Sequence, residues 1–276
     1  LTLEERALAF RCGTDWLYGV ASLPAAASHR GVLIVVGGAQ YRAGSHRQFT
    51  LLARSLAQDG IPAMRFDYRG MGDSEGDTRS FETVDDDLRA AIDAFFAAVP
   101  GMRELVLWGL CDGASAAAMY AHSDRRVAGL VLLNPWVRTE DGLARSTLRH
   151  YYLQRVGERA FWSRLLRGRL DLARSLKSAL GLVRAALAPA SPAPALPERM
   201  YSALAAFDGH VMVIIGGADL TGREFCDLAG GTPAWQQLLS GPRVTRHELE
   251  GADHTFSRRA WRDQVALWTS AWLRGW

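Results

Sequence analysis

Three residues of this chain have side chains suited to attack, proton relay and orientation, and each lies where a strand gives way to a turn. Cys111 is the centre of Gly109-Leu110-Cys111-Asp112-Gly113, the G-x-S-x-G form of a nucleophile elbow with cysteine in place of serine. The strand-like run "ELVLWG" precedes it and an alanine-rich helix start follows. An elbow forces its central residue into a strained turn, which is why small residues must flank it. The position also puts the sulfur at a helix N-terminus, whose partial positive charge favours a thiolate. A free cysteine is more often a buried core residue. The strand before, the helix after and the glycines on both sides argue against that here. Ser115 is a weaker candidate, because it falls inside the expected helix without flanking glycines.

His254, in "EGADHTFS", follows the last expected strand and is placed to accept the nucleophile's proton and return it to a leaving group. Asp219, in "IIGGADLTG", ends the preceding strand and is suited to orient the imidazole, although Asp also serves routinely as a turn former or helix cap. The other position for an acid, in "LLNPW", holds the uncharged Asn134. Asp253 is beside His254 but poorly placed to reach its ring.

An oxyanion formed at the nucleophile needs two backbone N–H groups. One is expected from Asp112 and the other from the turn Gly37-Gly38-Ala39-Gln40, with Ala39 first and Gln40 second. A carboxylate at Asp112 would disfavour a thiolate if it pointed inward. The expectation is that it points away or meets a cation from "YRAGSHR". His46 and Arg47 on that loop are either surface decoration or substrate contacts, and the sequence leaves both readings open.

The elements that must position these groups alternate between short β-rich runs and amphipathic helices, the signature of a parallel α/β sheet. Strands are expected at 31–38, 61–70, 103–109, 127–136, 210–219 and 243–254. Helices are expected at 45–60, 81–99, after the elbow, near "GREFCDLAG" and from about 257 to 273. Between Val137 and about Asp208 the alternation stops. The expected organisation is a core of residues 1–137 and 209–276, with a helical lid at 138–208 inserted over the sheet edge where ligands bind.

The chain has 276 residues, 49% of them apolar, enough for one large core. A net charge of +3 is too small to argue for nucleic acid. The charge is uneven, since residues 138–190 hold 11 Lys or Arg against 4 Asp or Glu. Arginines at 145, 149, 155, 159, 164, 167, 169 and 174 form a solvated face or a dock for something acidic, such as an acyl carrier protein or, less favoured, an anionic membrane surface. Three cysteines (Cys12, Cys111, Cys226) without C-x-x-C pairing fit reduced thiols in a cytoplasmic protein. No stretch reads as a membrane span or signal peptide. No metal-ligand cluster or dinucleotide fingerprint is present in the sequence, so no cofactor is expected.

Cysteine or serine, then acid, then histidine, together with "FDYRGMGDSEG", "GADHTF" and a mid-chain insertion, resembles the α/β-hydrolase superfamily over nearly the whole chain. "GGAQYRAGSHRQF", "LWGLCDGASAA" and "LNPWVRTEDGLARSTLRHYYLQR" are more closely similar to the exosortase A system-associated hydrolase 1 family, which carries cysteine at the elbow. "GGAQ" departs from the superfamily's common His-Gly turn. The resemblance implies a mostly parallel sheet flanked by helices. It names no substrate, but a thiol nucleophile suits thioesters, so the first reading is hydrolysis of an acyl thioester or ester through a covalent acyl-enzyme on Cys111, with His254 and Asp219. Two other readings stand beside it. One is an acyltransferase passing the acyl group to an amine or alcohol, and the other is a non-catalytic acyl-binding or scaffold protein.

Overall fold

The computed structural model describes residues 3–38, 40–138 and 194–276. Ala39 and residues 139–193, which hold most of the expected lid, lie outside the described residues. The chain divides into two units, residues 1–136 with 200–276 and residues 137–199. The first carries an eight-stranded sheet in the order β1-β2-β4-β3-β5-β6-β7-β8.

The centre of the sheet follows from composition. Strands β3 (Arg30–Val35), β5 (Glu104–Leu110), β6 (Val127–Leu133) and β7 (His210–Gly216) are runs of Val, Ile and Leu, buried almost throughout. They pair in parallel, as strands covered by helices on both faces must. On one flank, β4 (Ala63–Asp67) is parallel to β3; on the other, β8 (Val244–Leu249) is parallel to β7. Among the described residues the α-helices are α1 (Gln48–Gln58), α2 (Asp85–Ala98), α3 (Asp112–Tyr120), α4 (Leu196–Ala206), α5 (Leu220–Gly231), α6 (Pro233–Leu239) and α7 (Arg259–Arg274). α1 buries Phe49, Leu52, Ala53 and Leu56 at helical spacing, and Phe49 meets Trp108 of β5 edge-on at 5.8 Å between ring centroids. Arg30 closes the far end of the sheet. It donates to Glu104 Oε2 at 2.7 Å and to the carbonyls of Leu273 and Trp276, and its guanidinium lies 3.6 Å from the Trp276 ring.

A hairpin at the start of the chain was not expected. β1 (Glu4–Cys12) and β2 (Asp15–Leu23) pair antiparallel, and β2 adds antiparallel to β4. Gly13, at φ 62°, makes the tight turn between them. β1 is a mostly exposed edge strand studded with Glu4, Glu5, Arg6 and Arg11, charges that keep an edge from pairing with other chains. Those charges also erase the apolar alternation by which a strand is recognised.

The strand order turns back on itself between β3 and β5. From β3 the chain moves outward to β4 on one side, then returns to place β5 on the other. Turns leaving the carboxyl ends of two such neighbours diverge and leave a crevice, the usual ligand position in a sheet of this type. The glycine turn of residues 37–40 and Cys111 lie at those two ends.

Candidate active site

Cys111 follows the last residue of β5 and precedes the first of α3, with φ 60° and ψ −126°. This left-handed backbone costs about 1–3 kcal/mol for a residue with a side chain. Neighbouring elements over-determine it. The Cys111 amide donates to Leu133 O at 2.9 Å, and its carbonyl accepts from Ala114, Ser115 and Trp136 at 3.0–3.2 Å. The tight crossing explains the flanking glycines, since a Cβ on Gly109 would lie 2.4 Å from Gly113 O. Ser115 is fully buried and donates to Trp136 O at 2.6 Å, which removes it as a nucleophile.

Asp219 follows β7 and caps α5. Its Oδ2 accepts the Gly222 N–H at 2.9 Å, and its Oδ1 lies 3.0 Å from His254 Nδ1. Cap and orienting acid are therefore one carboxylate. The Asp219 hydrogen bond, followed by one with Cys111, pushes His254 up to about 10 against burial, so the imidazole carries its proton at neutral pH. Cys111, His254 and Asp219, separated by up to 143 positions in sequence, are thus brought together at the carboxyl edge of β5, β7 and β8.

Asn134 carries no charge and so falls outside the acid candidates of the sequence. It is 0% exposed, at the end of β6, with φ 41°. Its Oδ1 accepts the Gly216 N–H at 2.8 Å and its Nδ2 donates to His254 O at 3.2 Å. It therefore links the end of β7 to the backbone of the histidine loop. Its place directly after a buried strand was the available signal. Asp253 turns away from the imidazole and accepts from the Ser257 amide at 2.9 Å.

Asp112 corrects the sequence expectation. Its carboxylate neither points away nor meets a cation from "YRAGSHR", because it accepts the Gly38 N–H at 2.7 Å and the Gly113 N–H at 3.0 Å. Burial raises its carboxyl, against the pull of those amides and of His254. Of the two arginines of that stretch, Arg47 is exposed and Arg42 is committed elsewhere. It pairs with fully buried Asp67 at the end of β4 and, at 2.8 Å, with Asp73. "FDYRGMGDSEG" thus anchors the loop after β3.

A cavity of about 340 Å³ opens beside Cys111, lined also by Gly37, Gly38, Gln40, Phe81, Asp112, Trp136 and His254. That volume suits a small-molecule ligand. Gln40 Oε1 is buried without a hydrogen-bond partner among the described residues, so a donor on a bound ligand would satisfy it. His46 and Arg47, both at positive φ, are exposed and do not line this cavity. Among the described residues no His, Cys, Asp and Glu cluster could hold a metal, and no helix is long and apolar enough to cross a membrane.

Residues 27–180 match the model of the family described as Serine aminopeptidase, S33 (Hydrolase_4). The chain belongs to this family. Like other S33-type folds it is an α/β hydrolase, but where the family name specifies serine its elbow residue is Cys111. The esterase Pf2001 of Pyrococcus furiosus superposes with a TM-score of 0.67 at 14% identity, covering 99% of this chain and 93% of that one. A dienelactone hydrolase from Anabaena variabilis gives 0.65 at 16% identity, covering 100% and 99%. At these identities the likeness is one of fold. No curated protein matches the chain in sequence.

Proposed function

We propose that the chain cleaves acyl thioesters, and more slowly oxygen esters, through a covalent acyl-enzyme on Cys111. The observation that carries this reading is the geometry: His254, held by Asp219 at 3.0 Å, shares one cavity with Cys111 on a strained elbow. An imidazolium next to sulfur is the setting in which cysteine reacts as a thiolate.

The thiolate attacks the thioester carbonyl, and the new C–S bond forms as the carbonyl electrons move to oxygen. Backbone amides receive that charge. We assign them to Asp112 and to Ala39 or Gln40, because the Gly38 amide is already taken. Collapse breaks the bond to the leaving sulfur, which takes the proton from His254. Water, giving its proton to His254, then releases the acid and restores the thiolate. Sulfur suits a thioester donor because exchange between thioesters is close to thermoneutral, whereas acyl transfer from an oxygen ester to sulfur is uphill. The similarity of the elbow and lid motifs to the exosortase A system-associated hydrolase 1 family, and the esterase and dienelactone hydrolase neighbours, support acyl chemistry.

Intact-protein mass after mixing with a panel of acyl thioesters tests the proposal, with Cys111→Ala alongside. An acyl adduct on the wild type and none on the variant is expected. Equal adducts on both would remove Cys111 from the mechanism. Adduct lifetime with and without amines or alcohols then separates hydrolysis from transfer. A ligand that binds without turnover or adduct would mark a binding protein.

A further inference from the structure

We infer that the Asp112 side chain is a positioning residue, tying the nucleophile elbow to the turn after β3 and so aligning the amides that receive the oxyanion. The inference rests on the acyl-enzyme reading above.

β3 and β5 are paired up to Val35 opposite Gly109, after which both chains leave the sheet and the ladder ends. From there the elbow and the turn face each other without strand pairing. The Asp112 carboxylate spans that gap, with Oδ2 on the Gly38 amide at 2.7 Å and Oδ1 on the Gly113 amide at 3.0 Å. The turn is shaped around it. A Cβ on Gly37 would lie 2.1 Å from Asp112 Oδ1, so only glycine leaves the carboxylate room to reach across. Hydrogen bonds from backbone N–H groups to a carboxylate are among the stronger kind, and two of them on one side chain fix both distance and angle. Oxyanion stabilisation depends on donors already in place before charge develops.

The same carboxylate carries a cost. A negative group facing the cavity opposes a developing negative charge nearby. Alignment and repulsion predict opposite outcomes when the side chain is removed.

The test uses the full chain, with Asp112→Asn and Asp112→Ala beside the wild type. Two rates are read at Cys111. Alkylation by iodoacetamide forms a bond from sulfur to a saturated carbon as iodide leaves, and develops no oxyanion. Acylation by butyryl and octanoyl thioesters of N-acetylcysteamine develops one. We expect acylation to fall about tenfold to a hundredfold in Asp112→Ala, as for a partly misplaced oxyanion donor. The loss should be smaller in Asp112→Asn, which keeps an acceptor for Gly38. Alkylation should not fall in either variant, because removing a negative charge beside the sulfur does not disfavour its thiolate. Unchanged or faster acylation in the variants would show that repulsion outweighs alignment, and would overturn the inference. Parallel loss of both rates with a lowered unfolding midpoint would show a general folding role and overturn it too. Alkylation of the wild type without acylation by any thioester would sink the acyl-enzyme reading itself, and this inference with it.

Discussion

Asp219 Oδ1 lies 3.0 Å from His254 Nδ1 while the other oxygen of the same carboxylate begins α5 through the Gly222 amide. The acid's orientation is therefore set by a helix start, and the imidazole inherits it. With His254 at about 10 in the folded chain against an ordinary 6.5, its protonation contributes stability fully below about pH 6.5. That contribution declines between about 6.5 and 10 and is gone above. Urea unfolding across this window should show a shallower decline in Asp219→Asn than in the wild type. Equal slopes would mean that Asp219 does not hold the imidazole's proton. In turnover, the alkaline limb should lie near pH 10 and move to lower pH in the variant, as His254 loses the proton needed by the leaving group.

Asn134 gives a second prediction. Asn134→Ala leaves the Gly216 amide without its acceptor and the His254 carbonyl without its donor in a fully buried setting. Each orphaned group costs about 1–3 kcal/mol. If the residue also positions the histidine loop, kcat should fall about tenfold at a temperature where the variant is still folded, with KM little changed. Asn134→Asp, which keeps the Gly216 bond and sets a carboxylate against the His254 carbonyl, should lose activity while losing less stability than a cavity would cause. Full kcat in both variants would leave Asn134 with a purely structural role.

The elbow strain predicts an inversion of the usual ranking of alanine and glycine. At φ 60° and ψ −126°, Cys111→Gly relieves a conformation that Cys111→Ala retains. Glycine's greater freedom in the unfolded chain takes back part of the gain. The glycine variant should remain the more stable by about 1 kcal/mol, or about 2–4 °C in Tm for a chain of this size. Calorimetry on the two variants decides it, and a more stable alanine variant would contradict the strain.

The charge of residues 138–190, 11 Lys or Arg against 4 Asp or Glu, gives a prediction from sequence alone. Reversal to Glu at Arg145, Arg149, Arg155 and Arg159 should weaken turnover of an acyl-carrier-linked substrate about tenfold or more at low salt, and spare a small thioester. Equal loss on both substrates would count against a docking role for this segment.

Features that depend on near neighbours in the chain are legible in the residues alone. Runs such as "GVLIVV" and "VAGLVLL" are too apolar to be anything but buried strands, and alternation with helices makes their sheet parallel. The glycines around Cys111 announce the elbow because its steric demand is local. The β1–β2 hairpin stayed hidden because an edge strand lives by its partner and its charges, leaving no periodicity to read. Where the polar side chains point is set by the fold. The sequence offered Asp219 as the partner of the imidazole, but the partners of Asp112 and Asn134 could not be read from residue type. Strand order is what brings Asp112 to the Gly38 amide, Asn134 to the His254 carbonyl and Asp219 to the His254 ring. A hydrogen bond holds only within about 3 Å, and that separation arises between strands adjacent in space and not in sequence.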